Sequence, residues 1–506
     1  MNKEITVIVN GKPKQVKEGV TLSDIIDQEK QCGGHGKCGK CKVIAKGELS
    51  ELTDSELKLL TKKQLSLGMR LSCMTYALGD CEITTLADDE NARIVTDGKL
   101  PEFDIKPDFD KYGVAIDIGT TTLAAQIYDN TGKMLADTAR LNPQQKWGAD
   151  VVTRIEAALS GKACDLANEI RSAIENIISE LSGMINIDAK EIDGIVITGN
   201  TVMLSLLTKQ STEPFSHAPF EAERLFGEDL RAKELGLTNL ADNTSIYLPP
   251  CISSFVGADA VCAILSTRIY SSNCSMMVDI GTNGEMALWH NGKLAVCSTA
   301  AGPAFEGVGI SMGMRGANGA IDRVYIDNGE LKAHVIGDGA PTGICGSGLV
   351  DTVACLLELG VIDESGYLED DEFIISTPVC ITPKDIRMLQ LAKSAICAGI
   401  ETLIIGEGIS DSDIQALYVA GGFGNFLNKQ SAAKIGLLPK GISKNITAVG
   451  NAALAGAAMM LLNGSFKKTA KEIAMGAITL DLSADPVFSE KFMSGMIFEG
   501  GDNNGF

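Results

Sequence analysis

The chain lacks an excess of positive charge, an export signal and a long apolar run. Its 44 Lys and Arg residues are outnumbered by 65 Asp and Glu residues, which gives a net charge of −21. This balance argues against a nucleic-acid partner, because phosphate backbones are bound by clustered Lys and Arg. The first ten residues are polar and alternating, so we predict no signal peptide. No apolar run reaches the length of about eighteen residues that a span needs, so we expect a cytoplasmic protein with no membrane partner.

Histidine is also scarce, and one common phosphate loop is missing. The four histidines lie far apart and show no metal-ligand spacing. No G-x-x-x-x-G-K-[ST] segment is present, which excludes a P-loop ATPase. Cysteine, in contrast, is frequent, with fourteen in 506 residues. Because disulfides are rare in the cytosol, we expect these cysteines to be thiols or metal ligands.

Five cysteines lie within the first 81 residues, and the other nine are scattered singly. Cys32, Cys38 and Cys41 form a C-x5-C-x2-C pattern rich in glycine, and Cys73 follows. Four thiolates can hold a [2Fe–2S] cluster, and glycines let a loop turn tightly around it. A zinc site is the alternative, although zinc ribbons usually offer two close C-x2-C pairs. Cys81 is predicted to lie in a strand and not to bind metal.

The segments around these cysteines predict, in order, a strand, a hairpin turn, a returning strand and a short helix: 5–9, 10–11, 15–16 and 21–26. This pattern resembles the β-grasp fold of [2Fe–2S] ferredoxins, and it covers about residues 1–86. Residues 87–111 are acidic and contain two prolines. We predict that they form a linker.

A short segment occurs twice after the linker. An apolar strand ends at Asp117 and runs into Gly119, and a near copy ends at Asp279 and runs into Gly281, about 160 residues later. Glycine lets such a turn approach a phosphate, threonine hydroxyls and backbone N–H groups bond its oxygens, and the aspartate can hold Mg²⁺. One such turn alone is an ordinary hairpin, but the repeat predicts a duplicated nucleotide clamp.

Here the sequence resembles the actin, hexokinase and Hsp70 superfamily of ATPases. Asp117–Thr122 and Asp279–Asn283 are similar to its two phosphate loops, and Tyr418–Asn425 is similar to its adenosine motif. Thr198–Thr201 and Gly450–Ala457 resemble its connecting elements. The resemblance implies an α/β multidomain chain. A β-grasp ferredoxin domain precedes a two-halved, actin-like (ribonuclease H-like) ATPase domain over 112–506, with halves at about 112–270 and 271–506.

Two periodic segments predict long helices in that domain. Apolar residues of 166–181 recur at helical spacing, and a second helix is expected around 388–395. The glycine turn 342–348 precedes a further helix, and it suits either a phosphate or a simple helix entry. Cys345 in that turn could be reactive. Lys146 and Arg154 could pair with phosphate or a partner, or could serve a structural role.

A ferredoxin module followed by this ATPase resembles one family, the ATP-dependent reductive activators of corrinoid-dependent enzymes. The resemblance covers nearly the whole chain. Besides the cysteine run, the segments that are most specific to this family are 142–144, 148–155, 342–351 and 391–396. It implies that a [2Fe–2S] cluster, ATP and Mg²⁺ serve to reduce inactive Co(II) corrinoid to Co(I). Its implied partners are a corrinoid protein of a methyltransferase system and a cellular electron donor, with a homodimer possible.

The resemblance also implies a role for each candidate residue. Asp117 and Asp279 would organise Mg²⁺ and the attacking water. The cluster ligands would be Cys32, Cys38, Cys41 and Cys73. The residues that would cradle phosphates or border adenosine are Gly119, Thr120, Thr121, Thr122, Gly281, Thr282, Asn283, Gly421, Gly422 and Gly424.

Three other functions are open at this stage. The chain could be a sugar- or acid-kinase relative whose ferredoxin senses redox state. It could be a ferredoxin tethered to a nucleotide-gated docking module, with little hydrolysis. It could also activate another low-potential metalloenzyme, although dehydratase activators carry a different cluster type.

Overall fold

Alternating apolar residues build the first sheet of the chain, as the sequence predicts. The computed structural model describes residues 4–26, 35–36, 39, 41–60, 62–85, 96, 98–148 and 150–498. These residues divide into two units, one from Met1–Arg93 and Gly307–Arg387, the other from Ile94–Glu306 and Met388–Phe506. The predicted domain boundaries did not anticipate that 307–387 would group with the N-terminal residues.

The N-terminal part of the first unit has the β-grasp arrangement. Its elements are β1 (Glu4–Val9), β2 (Lys12–Lys17), β3 (Val20–Thr21), α1 (Leu22–Ile25), β4 (Lys42–Leu49), α2 (Asp54–Leu59), α3 (Lys62–Ser66), β5 (Met69–Leu71) and β6 (Tyr76–Thr85). The strands follow the order β2-β1-β6-β4-β5, with β1 parallel to β6. Apolar side chains on one face, including Val7 and Ile83, form the core of the sheet. This part of the fold prediction is confirmed.

The rest of the first unit comes from the middle of the chain. It contains β16 (Ala320–Asp327), β17 (Glu330–Val335), β18 (Gly343–Ile344), α9 (Gly346–Glu358), β19 (Phe373–Ser376) and β20 (Val379–Ile381). Within this unit, the Lys42 ammonium donates to the Ser311 carbonyl over 2.5 Å. Lys42 directly follows Cys41, so this contact joins the cysteine-bearing sheet to the 307–387 segment.

The first half of the second unit is a mixed sheet covered by helices. Its elements are β7 (Tyr112–Ile118), β8 (Thr122–Asp129), β9 (Met134–Leu141), α4 (Val151–Ala157), α5 (Ala163–Ile185), β10 (Ile192–Gly199), α6 (Thr201–Leu207), β11 (Glu228–Arg231), α7 (Ala232–Leu235), β12 (Ser245–Leu248) and α8 (Ala258–Thr267). The strand order is β11-β12-β10-β7-β8-β9, and β7, β10 and β12 run parallel. Because side chains alternate along a strand, β7 sends Ile116 toward α5 and Ala115 toward the opposite core.

The second half repeats this plan. Its elements are β13 (Cys274–Ile280), β14 (Gly284–His290), β15 (Lys293–Thr299), α10 (Pro383–Gly406), β21 (Ala416–Ala420), α11 (Lys429–Lys434), β22 (Ile446–Gly450), α12 (Ala452–Leu462), α13 (Ser465–Gly476), β23 (Ala477–Thr479) and α14 (Pro486–Ser494). The strand order is β22-β21-β13-β14-β15-β23. Here α10 lies against β14, as α5 lies against the first sheet. The predicted duplication and both predicted long helices are therefore confirmed.

Helices α8 and α12 meet in the core between the two sheets. Both follow the last parallel strand of their half, and a single apolar cluster joins them to residues of both sheets. Their approach is very close at Gly456, where a Cβ atom would lie 2.0 Å from the Cys262 carbonyl oxygen. Gly450–Ala457 is thus a connecting element, as predicted. Its partner is α8, so the prediction that Thr198–Thr201 is the other connecting element is wrong.

Part of the predicted linker is bound to the second unit. Gly98 forms an isolated β-bridge with Gly450, Phe109 is buried, and Phe103 packs edge-on against Phe466 at 5.4 Å. Residues 98–111 therefore form no free tether. Residues 87–95 and 97 of the predicted linker lie outside the described residues.

Helix α10 passes a length and hydropathy test for a membrane span, with a mean hydropathy of 1.5 over its apolar window. However, 72% of that window is buried inside the fold. Its apolar character is that of a core helix.

The helix crossing can be tested by adding one methyl group. Gly456→Ala places a Cβ atom against backbone that cannot rotate away, so α8 and α12 must separate. We expect the free energy of unfolding to fall by about 1–3 kcal/mol in urea denaturation. Gly183→Ala is the matched control, because a Cβ there meets nothing within 4 Å. That helical substitution should be neutral or stabilising by up to about 1 kcal/mol, and equal losses in both variants would contradict the role of the crossing.

Candidate functional site

Two of the four predicted cluster ligands lie side by side. Cys41 precedes β4 and Cys73 follows β5, and their Sγ atoms are 3.1 Å apart. Both are buried. Cys32 and Cys38 lie outside the described residues. Cys81 packs in the apolar core of the sheet, where burial raises its thiol pKa, in keeping with its predicted structural role.

Sequence reasoning missed the residue that holds the Cys73 segment. Glu56 is fully buried and accepts hydrogen bonds from Arg70 Nε (2.8 Å), the Leu71 N–H (3.1 Å) and the Thr75 hydroxyl (3.0 Å). Burial by itself raises the pKa of Glu56, but the hydrogen bonds from Arg70 and the backbone outweigh it and lower the pKa to about 2. One carboxylate thereby fixes the chain on both sides of Cys73.

The two predicted phosphate loops are tight hairpin turns at the ends of buried strands. The Gly119 N–H donates to the Thr122 carbonyl over 2.9 Å, and the Gly281 N–H donates to the Asn283 carbonyl over 3.1 Å. Asp117 and Asp279 occupy equivalent places, one residue before the end of β7 and β13. The repeat in sequence is therefore also a repeat in geometry.

Four carboxyl groups gather beneath these turns, and sequence reasoning identified only two of them. Asp259 lies in the first turn of α8, and Glu285 pairs across the hairpin with Asp279. Burial and, to a smaller extent, neighbouring carboxylates raise the pKa of Asp117 and of Asp279 to about 7, and burial raises the pKa of Asp259 to about 6. Burial also raises the pKa of Glu285 well above its usual range. The hairpin register could have revealed Glu285, but no local pattern marks Asp259.

Two asparagines that cap helices also donate hydrogen bonds to side chains of the first loop. Asn451 caps α12 and donates to the Asp117 carboxylate over 2.9 Å. Asn200 caps α6 and donates to the Thr120 hydroxyl over 3.2 Å. Thr120 is buried and its hydroxyl accepts this hydrogen bond, while its O–H remains a donor, so its contact with phosphate stays a prediction. Asn451 lies inside a motif that sequence reasoning had identified.

The family-specific segments 142–144 and 148–155 support the backbone of the same loop. Asn142 donates to the Gly119 carbonyl over 2.8 Å, and Gln145, which lies between the two segments, donates to the Thr121 carbonyl over 2.8 Å. Arg154 is fully buried and donates to the carbonyls of Thr120 and Gly148. Burial lowers the pKa of Arg154 to about 10. Of the roles open to Arg154, the structure therefore shows the structural one.

Lys146, the other cation considered, is also bound within the protein. It pairs with Glu169 and lies over the Trp147 ring, 5.5 Å from its centre. Lys146 is about half exposed, so this is a surface pair.

The segment 301–307 joins the two hairpins and the predicted adenosine motif. Glu306 accepts hydrogen bonds from the hydroxyls of Thr121 and Thr282, each over 2.8 Å. Phe305 stacks on Phe423 of the predicted adenosine motif, with ring centres 4.6 Å apart.

In the predicted adenosine motif, Gly421 has a φ of +91° and a Cβ there would lie 2.6 Å from the Ile280 carbonyl oxygen. Gly422 is exposed, and Gly424 packs on Val419.

The remaining family-specific segments serve packing. In the turn 342–348, the Cys345 N–H bonds to Ile321 and a Cβ at Gly348 would lie 2.2 Å from the Ile321 carbonyl. Cys345 is buried, and burial raises its thiol pKa, which disfavours the reactive thiolate form. In the segment 391–396, Lys393 is buried and donates to the Ile497 carbonyl over 2.7 Å. The first segment therefore fixes α9, and the second holds the C-terminal residues on α10.

Known protein families match most of the chain. A family profile for a 2Fe-2S iron-sulfur cluster binding domain matches residues 7–78, a profile for the RACo middle region matches 112–272, and one for the C-terminal ASKHA domain of RACo matches 273–506.

Two curated relatives cover most of the chain. The corrinoid activation enzyme RamQ of Eubacterium limosum is 34% identical over 423 residues, covering 78% of this chain and 71% of its own. A [Co(II) methylated amine-specific corrinoid protein] reductase of Methanosarcina barkeri is 29% identical over 396 residues, covering 72% of each chain. A solved structure described as a reductive activator for corrinoid,iron-sulfur protein superposes with a TM-score of 0.71 at 28% identity, and 98% of both chains is covered.

The role of Glu56 predicts a measurable loss of stability. Glu56→Gln leaves the buried Arg70 without its counter-charge, so we expect the β-grasp part to lose about 3 kcal/mol of unfolding free energy. Urea denaturation followed by cluster absorption measures this loss. Glu51→Gln is the control, since Glu51 is exposed nearby. An equal unfolding midpoint for both variants would contradict the role of Glu56.

The raised carboxyl pKa values predict a pH-dependent stability. Asp117 and Asp279 take up protons near pH 7 when folded but near pH 4 when unfolded. Without metal, the free energy of unfolding should therefore fall as the pH rises from 5 to 8, by about 1 kcal/mol or more relative to the Asp117→Asn/Asp279→Asn double variant. Thermal unfolding at intervals of one pH unit measures the difference. Parallel pH profiles of the two proteins would show that these carboxyls do not titrate as described.

Proposed function

The chain belongs to the RACo family of reductive activators of corrinoid proteins, and we propose that it couples ATP hydrolysis to the one-electron reduction of a Co(II) corrinoid protein to Co(I). One observation carries this proposal. The Cys41–Cys73 pair occurs on the same chain as two hairpins. The first strands of these hairpins end next to Asp117 and Asp279, and their turns are joined through Glu306.

The cysteine pair suits the cluster that the ferredoxin-domain match implies. The two thiols are 3.1 Å apart, buried, and located at the ends of rigid strands. Two thiolates held this closely are suitable ligands for one iron site. When bound, the cluster supplies a one-electron carrier between a cellular reductant and cobalt. The protein's part is to shield the thiolates from water and to hold the Cys73 segment through Glu56.

We propose that the carboxyl groups beneath the hairpins bind Mg²⁺ together with ATP. No three His, Cys, Asp or Glu side chains among the described residues form a complete metal site. Mg²⁺ typically uses one or two carboxylates, several waters and the phosphates of the nucleotide, so a partial site is the expected arrangement. Asp117 and Asp279 are the proposed carboxylates. Thr121, Thr282 and the loop backbone would donate hydrogen bonds to the phosphates.

ATP can promote the reduction of cobalt only if it changes how tightly the protein binds its corrinoid partner. Reducing cobalt at a potential below that of the donor is uphill, and about 59 mV corresponds to a tenfold change in a one-electron equilibrium. Nucleotide can move this equilibrium only by stabilising one of two states that differ in their contacts with the partner. We therefore propose that the ATP-bound and ADP-bound forms differ in their affinity for Co(II) and Co(I) corrinoid protein.

The test is an anaerobic reduction assay. The full chain, reconstituted with iron and sulfide and supplied with a chemical reductant, is mixed with a Co(II) corrinoid protein of a methyltransferase system. The Co(I) absorption band is followed over time. We expect reduction to be at least about tenfold faster with Mg²⁺ and ATP than without nucleotide, because the unfavourable transfer needs the coupled step.

Two variants separate the parts of this function. Asp117→Asn/Asp279→Asn should keep the cluster absorption but lose the ATP stimulation, and Cys73→Ser should lose reduction altogether. Equal rates with and without nucleotide in the unmodified protein would rule out the coupled mechanism. Transfer of the terminal phosphate to a small molecule, detected in the same mixture, would instead support a kinase.

A further inference from the structure

Glu306 is placed where two loops of the proposed nucleotide site meet. One of its oxygens accepts from the Thr121 hydroxyl and the other from the Thr282 hydroxyl, each over 2.8 Å. Thr121 belongs to the first hairpin and Thr282 to the second. A single carboxylate therefore spans the gap between the two halves of the unit.

The same two hydroxyls are the donors that a phosphate between the hairpins needs. A terminal phosphate offers several negatively charged oxygens, and threonine hydroxyls in such loops are suitable donors for them. A carboxylate in the same position has both the same acceptor geometry and the same sign of charge. Phosphate and the Glu306 carboxylate therefore exclude each other through competition and repulsion.

Glu306 is also attached to a turn that contacts the rest of the site. The 3₁₀ turn Pro303–Glu306 follows Gly302, whose N–H donates to the Thr282 carbonyl over 3.0 Å. Phe305 of this turn stacks on Phe423 in the adenosine motif. Glu306 is the last residue of this turn, so a displacement of its carboxylate removes the two hydrogen bonds that hold the turn to Thr121 and Thr282.

We propose that Glu306 is a specificity-determining residue that occupies the terminal-phosphate position in the nucleotide-free protein and is displaced by ATP but not by ADP. This inference rests on the proposed nucleotide-binding function. Its consequence is that the two nucleotides leave the turn 303–306 in different positions. The protein thereby distinguishes ATP from ADP by a charge competition at one side chain.

The experiment compares the binding of a non-hydrolysable ATP analogue, AMPPNP, with that of ADP. Titration calorimetry with Mg²⁺ is performed on the full chain and on Glu306→Gln, which keeps the shape and removes the charge. We expect the variant to bind AMPPNP about tenfold more tightly, a change of about 1.4 kcal/mol, and to bind ADP within about twofold of the unmodified protein. Glu306→Ala should show the same preference, because it also removes the competing carboxylate.

Hydrogen exchange adds a readout that a purely structural role would not change. In the unmodified protein, AMPPNP should alter exchange of the amides in 301–307, and ADP should not. Glu223→Gln is the control, since Glu223 is exposed and lies outside the cleft loops. It should bind both nucleotides like the unmodified protein.

The outcomes distinguish this inference from the proposed function. An unchanged AMPPNP-to-ADP ratio in Glu306→Gln, or an equal weakening of both nucleotides, would overturn the role of Glu306 while leaving nucleotide binding intact. Failure of the unmodified protein to bind either nucleotide would reject the proposed function and this inference together. Thermal unfolding of each variant shows whether it is folded, and the two substitutions at Glu306 allow a conclusion if one of them is not.

Discussion

The close crossing of α8 and α12 fixes the geometry of the cleft that we propose to bind nucleotide. Gly456 lets the α12 backbone contact the Cys262 carbonyl, and the apolar cluster around this contact joins residues of both sheets. The sheets are thereby held at a fixed distance, and the two hairpins at their ends face each other. The Glu306 bridge is possible only because that distance matches the width of one carboxylate and two hydrogen bonds.

The cleft also controls the ionisation of the carboxyl groups that it buries. The carboxyls of Asp117, Asp259, Asp279 and Glu285 lie close enough to oppose one another's ionisation. Burial of like charges is unfavourable unless a cation or a proton neutralises them. The fold keeps this unfavourable burial of like charges at the place where a metal ion bound with nucleotide would neutralise them. The ion pair of Glu56 and Arg70 is different, because it is satisfied inside the protein and serves to fix the Cys73 segment.

The segments that most closely resemble the family are mainly structural. Asn142 and Arg154 bond carbonyls of the first predicted phosphate loop, and Lys393 holds the chain near its C-terminal end. These hydrogen bonds fix the backbone of the loop from its carbonyl side. A motif that is specific to a family can therefore have a structural role.

Local sequence patterns predict the features that depend on neighbouring residues. The hairpins at Asp117 and Asp279, the β-grasp strands and the stripe of α5 follow from turn chemistry and periodicity, which act within a few residues. Tertiary packing sets which distant groups join them. Asp259, Glu306 and Asn451 reach the cleft from separate elements, and the grouping of 307–387 with the N-terminal sheet has no local signal. Such positions are set by packing between elements far apart in the chain, and the carboxyl pKa values are set by the burial that this packing creates.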